Sequence, residues 1–399
     1  MPYMLQVIWQ FFISIFISIN LFLSAWIVLP PPNMFLVKFA VGAPEVSPWL
    51  IALNGIATWI VAALMRRSPW QVVFLSASLL ALFFSTLPLL QFPHTNQRFA
   101  DAMRSALGKD YLERIPSNIA AGMRKQPLVW LDSLGGMPAD KCRIVEDIPF
   151  ATKDGVDLKM NVYQPPHPGK YPTIIAIYGG AWQRGKPKDY ARFSSYMAAR
   201  GYTVFAIDYR HAPKYRFPAQ IEDVATALTF IQQHGSEYDA DLNRIAIMGS
   251  SAGAHLAMLA AYQGISPLPI KAVVDYYGPI DLPGGYAHPP FPDPIDNRAV
   301  LRKLLGGTPA EFPEPYRQGS PINYIRKGLP PTLIVHGQRD NIVEFSFAQT
   351  FHQKLKASGN IAVLLDIPWA EHAFDVVFHG LSNQLALYYT ERFLAWALH

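Results

Sequence analysis

Between residues 173 and 367, short apolar runs rich in Ile, Val and aromatic residues alternate with segments of helical periodicity, and no other feature restricts the fold as strongly. The runs cover residues 173–178, 202–207, 244–248, 271–276, 331–335 and 362–367. Helical patterns occupy 188–200, 218–234, 252–262, 345–358 and 381–398. Runs with so few polar alternate positions belong to strands covered on both faces. The predicted fold is therefore α/β: a mostly parallel sheet with helices on both faces. Ahead of it, residues 143–150 and 157–163 read as a hairpin turning at Asp154-Gly155. Residues 282–298 are too rich in proline for an element and read as a loop long enough to form a lid or pocket rim.

The N-terminal part is of another kind. Residues 5–29, 49–65 and 70–90 are charge-free apolar stretches, each roughly 17–25 residues, enough to cross about 30 Å of hydrocarbon as a helix. A core helix of a soluble domain would show a polar face, whereas these carry only isolated Ser, Asn, Gln or Thr. They are expected to be transmembrane helices within residues 1–92. A linker, amphipathic or cap segment over 93–140 and an α/β domain over 141–399 would follow. The first stretch lacks a basic leader and ends in Pro30-Pro31-Pro32 without a small-residue cleavage site, so it reads as an anchor and not as a signal peptide. The expected location is a membrane, crossed more than once. Arg66 and Arg67 oppose Lys38, Arg98, Arg104 and Lys109, so flanking charge selects no orientation. Phe99, Met103, Leu107 and Tyr111 recur at helical spacing beside Arg104, Lys109 and Arg114. They fit an amphipathic helix lying either on the α/β domain or on the membrane surface.

Composition narrows the chemistry. The net charge of +5 is dispersed, with Lys and Arg scattered among Asp and Glu, so a nucleic-acid partner is not expected. The single cysteine, Cys142, excludes an intramolecular disulfide framework and a multi-cysteine zinc site. Neither a metal nor an organic cofactor is implied.

Gly249-Ser250-Ser251-Ala252-Gly253 follows the run 244–248 and opens a helical pattern. A sharp strand-to-helix turn needs small residues around a central serine if that serine is to take a strained conformation with its hydroxyl exposed. Ser251 is thus the candidate nucleophile; Ser250 occupies the variable position before it. A serine hydroxyl needs a base, and the base needs an orienting acid. Asp340 stands just past His336-Gly337, and His372 follows the last predicted strand. Both fall at carboxyl ends of strands, where open α/β sheets bind ligands. Asp366, Glu371 and His336 are rivals, but Asp366 lies inside a strand and His336 ends one. Gly179-Gly180, directly after an apolar strand, can aim backbone N–H groups at an oxyanion together with Ala252. Trp182, Trp369 and Phe374 flank these positions and are candidate pocket residues.

From Ile144 onward these residues resemble the hormone-sensitive-lipase-type esterases of the α/β-hydrolase fold. The resemblance is closer to the branch holding acyl esterases, kynurenine formamidases and isoprenylcysteine methylesterases. Its landmarks are Gly179-Gly180-Ala181-Trp182, Asp208-Tyr209-Arg210, Ala212-Pro213, Phe217-Pro218-Ala219, Glu222-Asp223, Ser251-Ala252-Gly253-Ala254-His255-Leu256 and His336-Gly337 before Asp340. The chain departs at Tyr178, where the family usually has a histidine bracing the oxyanion loop, and at Ser250, where relatives usually have Asp or His. By resemblance, Asp208, Arg210, Glu222 and Asp223 support the sheet and take no part in chemistry.

The resemblance implies hydrolysis of a small-molecule or lipid-like carboxylic ester through Ser251, Asp340 and His372, beside a membrane bilayer. A formamidase or amidase acting on an activated amide would use the same groups. A non-catalytic binding protein on this scaffold would commonly lack one of them, yet all are present.

Overall fold

The computed structural model describes residues 2–64, 70–138 and 141–399. Among these, eight strands form one sheet in the order β1-β2-β4-β3-β5-β6-β7-β8. The strands are β1 (Arg143–Lys153), β2 (Val156–Gln164), β3 (Tyr171–Ile177), β4 (Thr203–Ile207), β5 (Ala240–Ser250), β6 (Ile270–Tyr276), β7 (Thr332–Gly337) and β8 (Ala362–Ile367). β1 pairs antiparallel with β2, and β2 antiparallel with β4; every other pairing is parallel. The hairpin turns at Asp154 and Gly155, both at positive φ (50° and 75°), which matches the twist of its strands. β3 to β7 are almost wholly buried, as their lack of polar alternation requires.

Among the described residues, six helices precede the sheet, and the first four are α1 (Pro2–Ala25), α2 (Met34–Glu45), α3 (Ser47–Leu64) and α4 (Gln71–Leu107). α1 and α4 are long and apolar enough to cross a membrane. α2 and α3 meet that test only as one pair bent by 84°. The span predicted at 49–65 is thus the straight limb of a broken pair; Met65 and the Arg66-Arg67 pair lie outside the described residues. Helix α2 is not among the elements predicted from the sequence. Pro30-Pro31-Pro32 ends before Asn33, whose side chain caps the Leu36 N–H at 3.1 Å, and Pro44 falls inside the last turn. Isolated polar residues join the apolar helices: Asn54 donates to Ser24 at 2.9 Å and to Ser85 at 3.2 Å, linking α3 to α1 and α4.

The amphipathic pattern predicted from Phe99 is the second half of α4, which ends at Gly108 (φ 101°). Its apolar side packs on the sheet unit and not on a membrane surface. Phe99 meets Tyr389 edge-on at 5.5 Å, Phe92 stacks on Trp369 at 6.0 Å, and Arg98 pairs with Asp366 at 2.9 Å. Full burial of one such aromatic contributes roughly 1.5–3 kcal/mol. Two short helices follow, α5 (Ser117–Gly122) and α6 (Trp130–Gly135).

The sheet is covered by α7 (Ala191–Ala198), α8 (Ala219–His234), α9 (Ala252–Tyr262), α13 (Phe345–Ala357) and α14 (Leu381–Leu398), close to their predicted limits. Between β6 and β7 lie α10 (Leu282–Ala287), α11 (Asn297–Leu305) and α12 (Pro313–Gln318). Residues 282–298 therefore hold structure where none was expected. Asp281 caps the Gly284 N–H ahead of Pro283, and Asp296 caps the Ala299 N–H, each at 3.0 Å. Both are N-cap signals that the proline content obscured.

Candidate active site

Ser251 sits between β5 and α9 at φ 52°, ψ −122°, a conformation only a crowded turn sustains in a non-glycine residue. The crowding is visible in its neighbours. A Cβ on Gly253 would lie 2.0 Å from the Ile177 carbonyl oxygen, and one on Gly249 2.3 Å from the Gly253 carbonyl carbon. The two glycines let β5, β3 and α9 close around the serine.

The structure brings Ser251, His372 and Asp340 together. His372 Nε2 lies 2.9 Å from Ser251 Oγ, and His372 Nδ1 lies 2.7 Å from Asp340 Oδ2. Asp340 Oδ1 accepts the N–H groups of Ile342 and Val343, both at 2.8 Å. Burial alone would raise the Asp340 carboxyl, but His372 and His336 beside it hold it well below the usual carboxylate range. The rivals are placed elsewhere. Asp366 binds Arg98 and Gln338, and Glu371 accepts the Asn341 N–H at 2.6 Å. His336 backs the array: its Nε2 stands 3.2 Å from Asp340 Oδ2 and 2.8 Å from the Val343 carbonyl.

Gly179 lies against the nucleophile elbow, since a Cβ there would be 3.2 Å from Ser251 Cβ; Gly180 follows at φ 132°. Tyr178, the departure from the family pattern, is braced from three sides. Its hydroxyl donates to Asp208 and stands 2.9 Å from His211 Nε2, its ring stacks on Tyr209 at 4.5 Å, and its carbonyl accepts the Tyr209 hydroxyl at 3.1 Å. Burial, with Tyr209 and Asp208 adjacent, raises this phenol so that it stays protonated and donates. Arg210 is locked to Asp223 by contacts of 2.8 and 2.9 Å and also reaches Asp154.

A cavity of about 440 Å³ opens over Ser251 and His372, and a smaller one of about 60 Å³ also touches Ser251. Trp182 lines the smaller one together with Leu282, Pro290 and Leu301, so the proline-rich segment forms its rim. Trp369 and Phe374 line neither. Trp369 turns toward α4 and donates to Ser382 Oγ at 3.0 Å, while Phe374 packs on Tyr276 and Tyr277. Tyr277, which no sequence motif singled out, holds its ring 4.6 Å from that of His372 and donates its hydroxyl to Asp375. Met34 and Val37 of α2 reach the larger cavity.

Asp275 is a second buried acid near the array. Its Oδ1 accepts the Gly278 N–H at 2.7 Å, and Oδ2 has no partner among the described residues. Burial pushes its carboxyl up from 3.8 to about 7. The folded chain therefore holds this proton more tightly than the unfolded one. The stability so gained is complete below the unfolded value and is lost as the pH rises through about 7, a loss of about 4 kcal/mol at about 1.4 kcal/mol per unit. The urea midpoint is expected to fall between about pH 4 and pH 7, and Asp275→Asn is expected to flatten that slope.

A serine, aspartate and histidine in that chain order, held at the carboxyl ends of a mostly parallel sheet, is the arrangement of the α/β-hydrolases. Residues 160–355 match the family model described as BD-FAE. The chain is 32% identical over 240 residues to a probable carboxylic ester hydrolase, LipM, of Mycobacterium tuberculosis, covering 57% of this chain and 54% of that one. It is 28% identical over 223 residues to a probable isoprenylcysteine alpha-carbonyl methylesterase, ICME, of Oryza sativa subsp. japonica, covering 52% and 53%. The chain thus spans about half the length of these curated relatives. Among solved structures, Thermogutta terrifontis esterase 2 phosphonylated by sarin matches with a TM-score of 0.52 and 27% identity, over 65% of this chain and 93% of that one.

Proposed function

We propose that this chain is a membrane-anchored serine hydrolase that cleaves carboxylic esters. The observation carrying the proposal is the unbroken line from Ser251 Oγ through His372 to Asp340, at 2.9 and 2.7 Å, at the floor of a cavity. Relatives named as esterases support the choice of bond.

In this reading His372 takes the Ser251 proton as Oγ attacks the acyl carbon, and Asp340 stabilises the imidazolium that forms. The N–H groups of Gly179, Gly180 and Ala252 receive the oxyanion, with Tyr178 fixing the loop that carries the glycines. Collapse expels the alcohol, which takes its proton from His372. Water, deprotonated by the same imidazole, then attacks the acyl-serine and releases the acid. Residues 1–92 hold the chain in the bilayer by α1, α4 and the bent α2–α3 pair; residues 93–140 connect it to the catalytic domain, residues 141–399.

Acid quenching during early turnovers of p-nitrophenyl acetate, followed by peptide mapping, is expected to find an acetyl ester on the peptide bearing Ser251. Turnover of N-formylkynurenine with no turnover of any ester would instead assign a formamidase.

A further inference from the structure

The larger cavity is not built by the hydrolase fold alone. Met34 and Val37 of α2 form part of its wall, which Phe193, Val376 and Phe378 share, above Ser251. Helix α2 is fixed there. Glu45, at its C-terminal end, accepts the Ser382 N–H at 2.8 Å at the start of α14, and Gly380 allows the approach, since a Cβ there would meet Glu45 Oε2 at 2.3 Å. Just before α2, the Val28 carbonyl accepts from Arg339, the residue preceding Asp340, at 2.5 Å.

The two sides of α2 differ. Val37, Ala40 and Val41 are buried toward the protein, while Met34 and Phe35 are 43% and 64% exposed, and Lys38 extends its ammonium over the Phe35 ring at 4.0 Å. Because α2 meets α3 at 84°, it lies close to the membrane plane if α3 runs along the membrane normal. A helix in that plane, apolar on its outward side and bearing a lysine that can reach headgroups, suits the membrane interface. Val376, which also lines the cavity, is 69% exposed and continues the apolar mouth.

Resting on the hydrolase reading above, we propose that the substrate is an ester of a bilayer-resident amphiphile. Its long hydrocarbon group leaves the membrane along α2 and occupies the larger cavity between Met34, Val37 and Phe378. The smaller cavity beside Trp182 takes the short group on the other side of the scissile bond. Helix α2 is then a specificity element supplied by the membrane region.

The test uses the full chain in phosphatidylcholine nanodiscs and a fluorophosphonate whose long alkyl chain ends in a diazirine. The Ser251 Oγ displaces fluoride from phosphorus, giving a phosphonyl serine and fluoride ion, and light then joins the chain end to whatever lines its path. Crosslinks are expected on the peptide spanning residues 34–41. Ser251 labelling with crosslinks confined to residues 282–305 would overturn the proposal alone, since the tail would then occupy the smaller side. Absence of labelling at Ser251 would overturn both the proposal and the hydrolase reading beneath it.

Discussion

Asp340→Asn is expected to lower kcat on p-nitrophenyl esters by about 10⁴-fold while leaving the chain folded. The argument lies in the donors around this side chain. The Ile342 and Val343 N–H groups can keep their bonds to an amide oxygen at the Oδ1 position, so the backbone turn survives. The other atom then becomes an NH₂ group facing His372 Nδ1 and His336 Nε2. Nδ1 can no longer donate there, so His372 adopts the tautomer that carries its hydrogen on Nε2. That nitrogen then meets Ser251 Oγ as a donor and cannot take its proton. The check is kcat measured alongside a urea midpoint; an intact midpoint with lost turnover is the predicted pair.

Gly253→Val is expected to cost both fold and activity. Its Cβ would fall 2.0 Å from the Ile177 oxygen and 2.5 Å from the Tyr178 oxygen, both of them backbone atoms that cannot rotate away. Relief requires α9 to move off β3, which carries Ser251 away from Gly179. Overpacking of this kind costs about 3 kcal/mol or more, a fall of about 10 °C in Tm at 2–4 °C per kcal/mol. Gly122→Ala is the control, because a Cβ there meets nothing within 4 Å and its Tm should change little.

Much of this was legible in the sequence because it is local or periodic. β8 and α14 fall at their predicted limits, and the elbow around Ser251 reads from five consecutive residues. Asp340 and His372 were found by their position after strands, a rule that depends on the sheet and not on their neighbours in sequence. What stayed hidden depends on contacts between distant segments. Nothing in the sequence around Met34 shows that α2 reaches the cavity above Ser251, or that Glu45 meets the start of α14. Tyr277 faces His372 only because β6 ends beside the loop after β8. Trp369 and Phe374 were drawn toward the pocket by nearness to His372 in sequence, yet α4 and the paired tyrosines 276 and 277 claim their rings. The turns at Asp281 and Asp296 carried helix starts that the surrounding prolines masked.

The central claim is that Ser251 attacks carboxylic esters, and one assay addresses it most directly. The full chain in detergent is offered p-nitrophenyl esters from acetate to palmitate, with Ser251→Ala beside it. The predicted result is turnover by the wild type with a clear chain-length optimum, and its loss in the variant by about 10⁶-fold in kcat. Wild-type chain that is folded yet hydrolyses none of these esters, or a Ser251→Ala variant that retains the activity, would contradict it.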